Sequence, residues 1–188
     1  MPQGRIILVS GAPGTGKTTV AALLARDSAL ERSLHLHTDD FYDALRKGAI
    51  PPHLPGSQGQ NLVVIEAFRE AAKRFARGGY DVVVDGVIGP WFIEPWLQAA
   101  REGYQVHYLV LRASKEATLA RALGRTKLDE ATNRELVETM WAQFANLGSW
   151  EPWAVDTTNL SPHATAELLQ EKLQKNTNLL TGEKKKKK

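Results

Sequence analysis

Short runs of apolar, often β-branched residues alternate along the chain with longer segments in which apolar residues recur every three or four positions. The short runs predict strands at 5–10, 34–38, 80–85, 105–111 and 153–156. The longer segments predict helices at 17–29, 61–77, 93–102, 114–123, 129–146 and 161–174. This alternation is typical of an α/β fold in which helices cover both faces of a parallel sheet.

One irregular segment, residues 48–60, interrupts this alternation and contains three prolines and three glycines. A loop of that length inside a compact domain is usually functional or disordered, and we expect a functional loop because it separates two segments that carry chemistry. No segment of linker-like composition divides the rest of the chain. The pattern therefore predicts a single domain over residues 1–176, followed by a disordered lysine-rich tail at 177–188.

Composition and charge narrow the class of protein. The 188 residues carry a formal charge of +3, but Lys184 to Lys188 supply five positive charges, and the preceding chain has 19 basic and 21 acidic residues, a net charge of −2. Such a body offers no basic stripe for a phosphate backbone, so no nucleic-acid partner is expected. The absence of cysteine excludes disulfides, cysteine-ligated metals and thiol catalysis. Without an apolar stretch of about 20 residues or a signal-peptide core, we expect a cytoplasmic protein with no membrane partner.

A glycine-rich segment lies between the first predicted strand and the first predicted helix. It consists of Gly11-Ala12-Pro13-Gly14-Thr15-Gly16-Lys17-Thr18 and matches the phosphate-loop pattern G-x-x-x-x-G-K-[ST]. The glycines let backbone N–H groups point inward, and the helix N-terminus adds partial positive charge, which suits a polyphosphate. Lys17 is expected to reach the β and γ phosphates and the Thr18 hydroxyl to bind Mg²⁺, with Thr19 as a supporting neighbour.

Two carboxylates, Asp39 and Asp40, directly follow the second predicted strand. Ligands of open α/β sheets collect at the carboxyl ends of strands, where a carboxylate can accept a proton from a substrate hydroxyl during phosphoryl transfer. We expect one of the pair to cap a helix that begins near Phe41 and the other to face the site. Asp39 is the predicted general base, and Asp40 and Tyr42 are predicted to contact the acceptor.

Further acidic and basic residues lie at the ends of the next strands. Asp85 closes the third strand and is predicted to bind the metal or the substrate. Arg121 and Arg125 lie four residues apart on one helix face, so they are predicted to close over the transferring phosphoryl as a lid near residues 121–135. The turn that begins with Asp156 and Thr157 follows the fifth strand and is expected to hold the nucleotide base.

Aromatic and histidine residues give weaker signals. Trp91 follows the turn after Asp85 and is predicted to line an acceptor pocket, and His53 in the proline-rich loop is a further acceptor-site candidate. The strand alternation explains His35 and His37 without a functional role. None of the five histidines has metal-ligand spacing with acidic residues.

Together, the phosphate loop, the Asp39-Asp40-Phe41-Tyr42 turn, Asp85, the arginine pair and the Asp156 turn resemble those of small phosphate-loop kinases. Over residues 5–173 the chain is similar to the AAA-type ATP-binding group that includes nucleoside kinases and chloramphenicol-phosphotransferase-like proteins. This resemblance implies a three-layer sandwich with a five-stranded parallel sheet in the order 2-3-1-4-5. It also implies ATP and Mg²⁺ as cofactors, a small hydroxyl compound as acceptor of the γ-phosphoryl, and Asp39 as the base.

The sequence does not identify the phosphoryl acceptor, and it leaves two alternative functions open. Residues 85–90 lack the arginine of the similar adenylate-kinase turn, which argues against a nucleoside monophosphate and leaves a nucleoside, a sugar or an antibiotic-like compound. A zeta-toxin-like sugar-nucleotide kinase is the nearest alternative. The alternative from another class is an NTPase switch or an ATP-binding module without kinase activity. For a GTPase switch, however, Thr126-Lys127-Leu128-Asp129 only approximates N-K-x-D and follows a predicted helix instead of a strand.

Overall fold

A single five-stranded parallel sheet forms the centre of the molecule. The computed structural model describes residues 4–123 and 130–181, with the side chains of residues 4–122 and 134–181. The strands are β1 (Arg5–Ser10), β2 (Ser33–His37), β3 (Asp81–Asp85), β4 (Gln105–Arg112) and β5 (Ala154–Asp156). They pair in parallel in the order β2-β3-β1-β4-β5, which confirms the predicted fold class and strand order.

Helices cover both faces of this sheet. They are α1 (Lys17–Arg26), α2 (Thr38–Asp43), α3 (Gln58–Arg77), α4 (Glu94–Arg101), α5 (Lys115–Leu123), α6 (Glu130–Ala145) and α7 (Pro162–Gln174). Two 3₁₀ turns, Pro90–Phe92 and Gly148–Trp153, precede α4 and β5. No helix in the described ranges is both long enough and apolar enough to cross a membrane.

Two apolar clusters lie on opposite faces of the sheet. In β1, Ile6 and Leu8 pack into the cluster that includes residues of α3 and α4, whereas Ile7 and Val9 pack into the cluster that includes residues of α1 and α7. Successive strand side chains point to opposite faces, so a strand buried on both faces must be apolar throughout. That requirement explains the continuous apolar runs from which the strands were predicted.

The helix boundaries differ from the sequence prediction mainly around the proline-rich loop. Helix α3 begins at Gln58 instead of Asn61, so the irregular stretch comprises residues 44–57. The Asn61 side chain explains the earlier start, because its amide donates to the Pro52 carbonyl and to the Ser57 hydroxyl at 2.9 and 3.1 Å. The first turn of α3 therefore anchors the loop.

The packed part of the chain continues past the predicted domain boundary at residue 176. Strand β5 pairs only with residues 110–112 of β4, so the first half of that edge needs another hydrogen-bonding partner. The C-terminal segment supplies it: the Tyr108 N–H donates to the Asn178 carbonyl and the Leu180 N–H to the Val106 carbonyl, at 2.9 and 2.7 Å. Both Asn178 and Leu180 are buried. The predicted lysine-rich tail lies, from residue 182 onward, outside the described residues.

His107 is a fully buried titratable group in the middle of β4, with an exposed fraction of 0%. Neither of its ring nitrogens has a hydrogen-bond partner among the described residues. Burial, together with the positive charge of Arg5, lowers the pKa of the His107 ring to about 4, although Asp81 opposes the shift. The folded state therefore favours the neutral ring.

We expect stability to fall as the pH decreases from about 6.5 to about 4. In that range the unfolded chain binds a proton at residue 107 that the folded chain excludes, a difference of up to about 3 kcal/mol. The His107→Leu variant should lose this part of the pH dependence and be no less stable at pH 7.5. Urea unfolding at pH 7.5 and 5 measures both effects, with His163→Leu, at an exposed position, as the control. An unchanged pH dependence in His107→Leu would refute the assignment.

Candidate active site

The phosphate-loop segment, residues 11–18, turns sharply between β1 and α1. Gly14 and Gly16 have left-handed backbones with φ of +84° and +88°, and Gly16 immediately precedes the first residue of α1. The Thr15 hydroxyl and N–H both donate to the Ala12 carbonyl, at 2.8 and 3.3 Å, and close the turn. The loop therefore directs the N-terminus of α1, with its partial positive charge, at the carboxyl edge of the sheet.

Close packing leaves no space for side chains at two of the loop glycines. A Cβ atom at Gly11 would lie 2.3 Å from the Leu111 carbonyl oxygen, and one at Gly14 would lie 2.4 Å from the Thr118 carbonyl oxygen. A Cβ at Gly16 would have no neighbour within 4 Å, so its backbone angle alone favours glycine there. The loop is thus held against the end of β4 and against α5.

Lys17 is the first residue of α1 and carries the positive charge of the phosphate loop. Its ammonium donates to the Ala12 carbonyl at 3.1 Å. Burial lowers the pKa of the Lys17 ammonium, although the negative charges of Asp85 and Asp39 oppose that shift. The lysine charge is therefore close to both predicted site carboxylates.

Asp85 is the buried centre of the site. The Asp85 side chain has an exposed fraction of 0%. Its Oδ2 atom accepts a hydrogen bond of 2.7 Å from the Thr18 hydroxyl. Burial opposes ionisation, but hydrogen bonds from His35 and Thr18, together with the nearby His37, hold the pKa of the Asp85 carboxyl below its usual value. The side chains that were predicted to bind Mg²⁺ are thus in direct contact.

Two histidines of β2 also bind Asp85. His35 Nε2 lies 2.6 Å and His37 Nδ1 lies 2.9 Å from the same Oδ1 atom, and the strand register pairs His37 with Asp85. Sequence reasoning missed this role because strand alternation already explained both residues. The available signal was their position, since a His-x-His pair ends the strand, with only Thr38 between it and Asp39-Asp40.

Asp39 lies at the start of α2 and is exposed, with 71% of its side chain accessible. His37 Nε2 lies 3.3 Å from its Oδ2. Burial and the negative charge of Asp39 raise the pKa of the Tyr42 hydroxyl. The expectation that one carboxylate of the pair caps the helix is wrong, because the cap position is His37 and no side chain makes a capping hydrogen bond there. Asp39 and Asp40 instead occupy the first turn, where negative charge is also favourable.

A cavity of about 200 Å³ opens beside the phosphate loop. Gly14, Gly16 and Thr19 line one side, and the residues lining the other include Arg121, Thr157 and Leu160. The Arg121 guanidinium donates to the Thr157 and Thr158 carbonyls at 3.3 and 3.0 Å, which ties α5 to the turn after β5. The predicted lid residue Arg121 is therefore positioned beside the predicted base-binding turn, and Arg125 lies outside the described residues.

Asp156 shapes that turn from its exposed edge. Its Oδ1 accepts the Thr158 N–H and hydroxyl at 2.9 and 2.6 Å, and these hydrogen bonds lower the pKa of the Asp156 carboxyl. Asp156 does not line the cavity, whereas Thr157 does. A ligand in the cavity would therefore contact Thr157 and Leu160, not Asp156.

The two weaker acceptor-site candidates lie apart from the carboxylate cluster. Trp91 is 47% exposed and its ring packs edge-on against Phe144 at 5.3 Å between centroids. His53 is exposed in the proline-rich loop, and no described hydrogen bond or ion pair joins it to Asp39 or Asp85. Among the described side chains, Thr18 contacts Asp85 and His37 links Asp85 with Asp39, whereas the roles of Trp91 and His53 stay predictions.

Comparison with known proteins identifies the family of the chain and shows that solved structures share its fold. A family model described as "AAA domain" matches residues 7–142. A protein of Thermococcus kodakarensis named "Putative adenylate kinase" is 32% identical over 168 residues, which span 86% of this chain and 81% of that protein.

Two solved structures share the fold. A sugar kinase from Janibacter sp. HTCC2649 has a TM-score of 0.68 at 18% identity and covers 91% of this chain and 95% of its own. The tunicamycin resistance protein of Deinococcus radiodurans has a TM-score of 0.61 at 24% identity and covers 94% of this chain and 98% of its own. At these identities the similarity establishes the fold.

The two left-handed loop glycines should differ in their tolerance of alanine. Both substitutions carry the left-handed backbone penalty of about 1–2 kcal/mol, but only Gly14→Ala also brings a Cβ against the Thr118 carbonyl. We expect Gly14→Ala to lower the free energy of unfolding more than Gly16→Ala. Denaturant unfolding of both variants measures the difference, and equal losses would show that the loop does not pack closely on α5.

Proposed function

Because the chain belongs to the AAA domain family, we propose that it is a kinase that uses ATP and Mg²⁺ to phosphorylate a hydroxyl group of a small molecule. Its enzyme class is that of the phosphate-loop kinases. The observation that carries the proposal is that the phosphate loop and two carboxylates meet at one edge of the sheet: Thr18 donates to Asp85 at 2.7 Å, and His37 lies 2.9 Å from Asp85 and 3.3 Å from Asp39. A loop that only bound a nucleotide would not need the second, exposed carboxylate.

The nucleotide is proposed to lie along the phosphate loop. Its phosphates would meet the N-terminus of α1 and the Lys17 ammonium, both of which favour negative charge. The cavity beside Gly14 and Gly16 would take the nucleoside, with Thr157 and Leu160 against the base. Arg121 lines the same cavity and donates to the Thr157 and Thr158 carbonyls, so it would lie beside the nucleoside; its role over the transferring phosphoryl stays a prediction.

Thr18 and Asp85 suit Mg²⁺ by the chemistry of their donors, because both offer hard oxygen ligands and lie 2.7 Å apart. No group of three or more histidine or acidic side chains within the described ranges forms a metal site by itself. The ion would therefore be held by these two residues together with phosphate oxygens and water. When bound, Mg²⁺ neutralises charge on the β and γ phosphates.

Asp39 is proposed to remove the proton from the acceptor. As the hydroxyl oxygen forms its bond to the γ-phosphorus, the bond to the β-phosphate oxygen breaks, ADP leaves, and the hydroxyl proton passes to the Asp39 carboxylate. The exposure of Asp39 lets an acceptor approach it from solvent. Lys17 would stabilise the negative charge on the transferring phosphoryl group.

The acceptor class is a small hydroxyl compound such as a nucleoside, a sugar or an antibiotic-like molecule. The relative named as an adenylate kinase favours a second candidate, a nucleoside monophosphate. Against it, residues 86–90 contain no arginine, and Asp39, Asp40 and Asp43 are exposed on the acceptor side. A screen for acceptor-dependent ADP release that includes AMP beside uncharged hydroxyl compounds separates the two.

Asp39→Asn should abolish phosphoryl transfer while ATP binding persists, because the amide cannot accept the proton. We expect a loss of about 10²–10⁴ in kcat, the usual contribution of a positioned base. Glu167→Gln is the control, since it removes an exposed carboxylate on α7, away from the proposed acceptor residues, and should retain the activity. Near-normal turnover of Asp39→Asn with the acceptor from the screen would show that another group is the base.

Lys17→Ala should weaken both nucleotide binding and transfer, because the ammonium contacts the phosphates before and during the reaction. A loss of at least about 10² in kcat/KM is expected for a group that stabilises transition-state charge. Calorimetric titration with ATP and steady-state kinetics measure the two effects, and Lys115→Ala, which removes a partly exposed lysine at the start of α5, is the control. Unchanged ATP affinity and an unchanged rate of phosphoryl transfer would refute the assignment of residues 11–18 as a phosphate loop.

A further inference from the structure

We propose that His35 and His37 are positioning residues that hold the Asp85 carboxylate in the orientation that binds Mg²⁺. The inference rests on the proposed kinase function and deepens it. It assigns a role to two side chains that a phosphate-loop mechanism does not itself require.

The geometry at Asp85 Oδ1 determines what each ring must do. Both His35 Nε2, at 2.6 Å, and His37 Nδ1, at 2.9 Å, reach this one oxygen. An ionised carboxylate only accepts hydrogen bonds, so both nitrogens must carry a hydrogen and donate it. Two donors use both lone pairs of Oδ1, and they fix the hydrogen of His35 on Nε2 and one hydrogen of His37 on Nδ1.

This arrangement leaves Oδ2, the second oxygen of Asp85, facing the proposed Mg²⁺ site. Oδ2 receives the Thr18 hydroxyl at 2.7 Å, and Thr18 is exposed at the start of α1. A carboxylate rotates about its final bond, so donors on one oxygen decide where the other oxygen points. Residues that orient a metal ligand in this way typically change metal affinity 10–100-fold when they are replaced.

The second nitrogen of His37 extends the contact to Asp39. His37 Nε2 lies 3.3 Å from Asp39 Oδ2, and His37 is the last residue of β2 before α2 begins. One imidazole ring thus touches the proposed metal carboxylate and the proposed base. A side chain that only filled space at this strand end would need no polar atom at either contact.

The test measures how much Mg²⁺ strengthens binding of the ATP analogue AMPPNP, as the ratio of Kd in EDTA to Kd in Mg²⁺. Isothermal titration of the full chain gives both values and needs no acceptor. We expect His35→Leu and His37→Leu to lower this ratio about 10-fold or more while Kd in EDTA stays unchanged. Glu171→Leu, at an exposed position in the last turn of α7 and outside the lining of the cavity, is the control and should keep the wild-type ratio.

Amide variants separate hydrogen bonding from packing. The side-chain N–H of glutamine corresponds to Nε2 and that of asparagine to Nδ1. His35→Gln should therefore retain more of the ratio than His35→Asn, and His37→Asn more than His37→Gln. These matched pairs keep the proposal testable if the leucine variants do not fold, since each pair differs by one methylene group.

Each outcome is decisive. Folded leucine variants with the wild-type ratio, or amide pairs with the reverse ranking, overturn the positioning role and leave the kinase proposal intact. Wild-type protein that does not bind AMPPNP with or without Mg²⁺ contradicts the kinase proposal itself. Long-range ¹H–¹⁵N spectra of the wild-type rings give a direct check, because a bare nitrogen at His35 Nε2 or His37 Nδ1 also overturns the inference.

Discussion

The structure around the site depends on one interaction, the burial of the ionised Asp85 carboxylate at the end of β3. A buried charge is strongly unfavourable unless donors surround it. The donors come from two different elements, His35 and His37 on β2 and Thr18 on α1. Satisfying this one carboxylate therefore locks the edge strand, the central strands and the first helix in a single arrangement.

That arrangement also determines where opposite charges meet. Parallel strands end at the same edge of the sheet, so the residue after each strand faces the same crevice. Lys17 begins α1 at the end of the phosphate loop, and Asp39 lies in the first turn of α2, which follows β2. The family model and the relative named as an adenylate kinase agree with a phosphate-loop kinase.

Patterns of neighbouring residues in the sequence were sufficient to predict some features of the structure but not others. The phosphate loop could be predicted because its glycines and lysine act through short-range backbone geometry, and the strands could be predicted because burial on both faces demands apolar residues. The histidine contacts could not, since alternation in a strand says which face a residue occupies but not which side chain lies opposite. The chain end past residue 176 was missed for a similar reason, because only the short β5 reveals that the β4 edge needs a partner.

The sequence by itself determined the fold class, the strand order implied by the family resemblance, the phosphate loop and the candidate carboxylates. Apart from the strand order, which came from the resemblance alone, these follow from periodicity and from contiguous motifs, which are properties of neighbouring residues. Only the tertiary structure decided that Arg121 holds the turn at Thr157 and that Asp85 is bound by two histidines from another strand. Those contacts join residues 36 to 50 positions apart, and their register is set by the packing of the whole sheet.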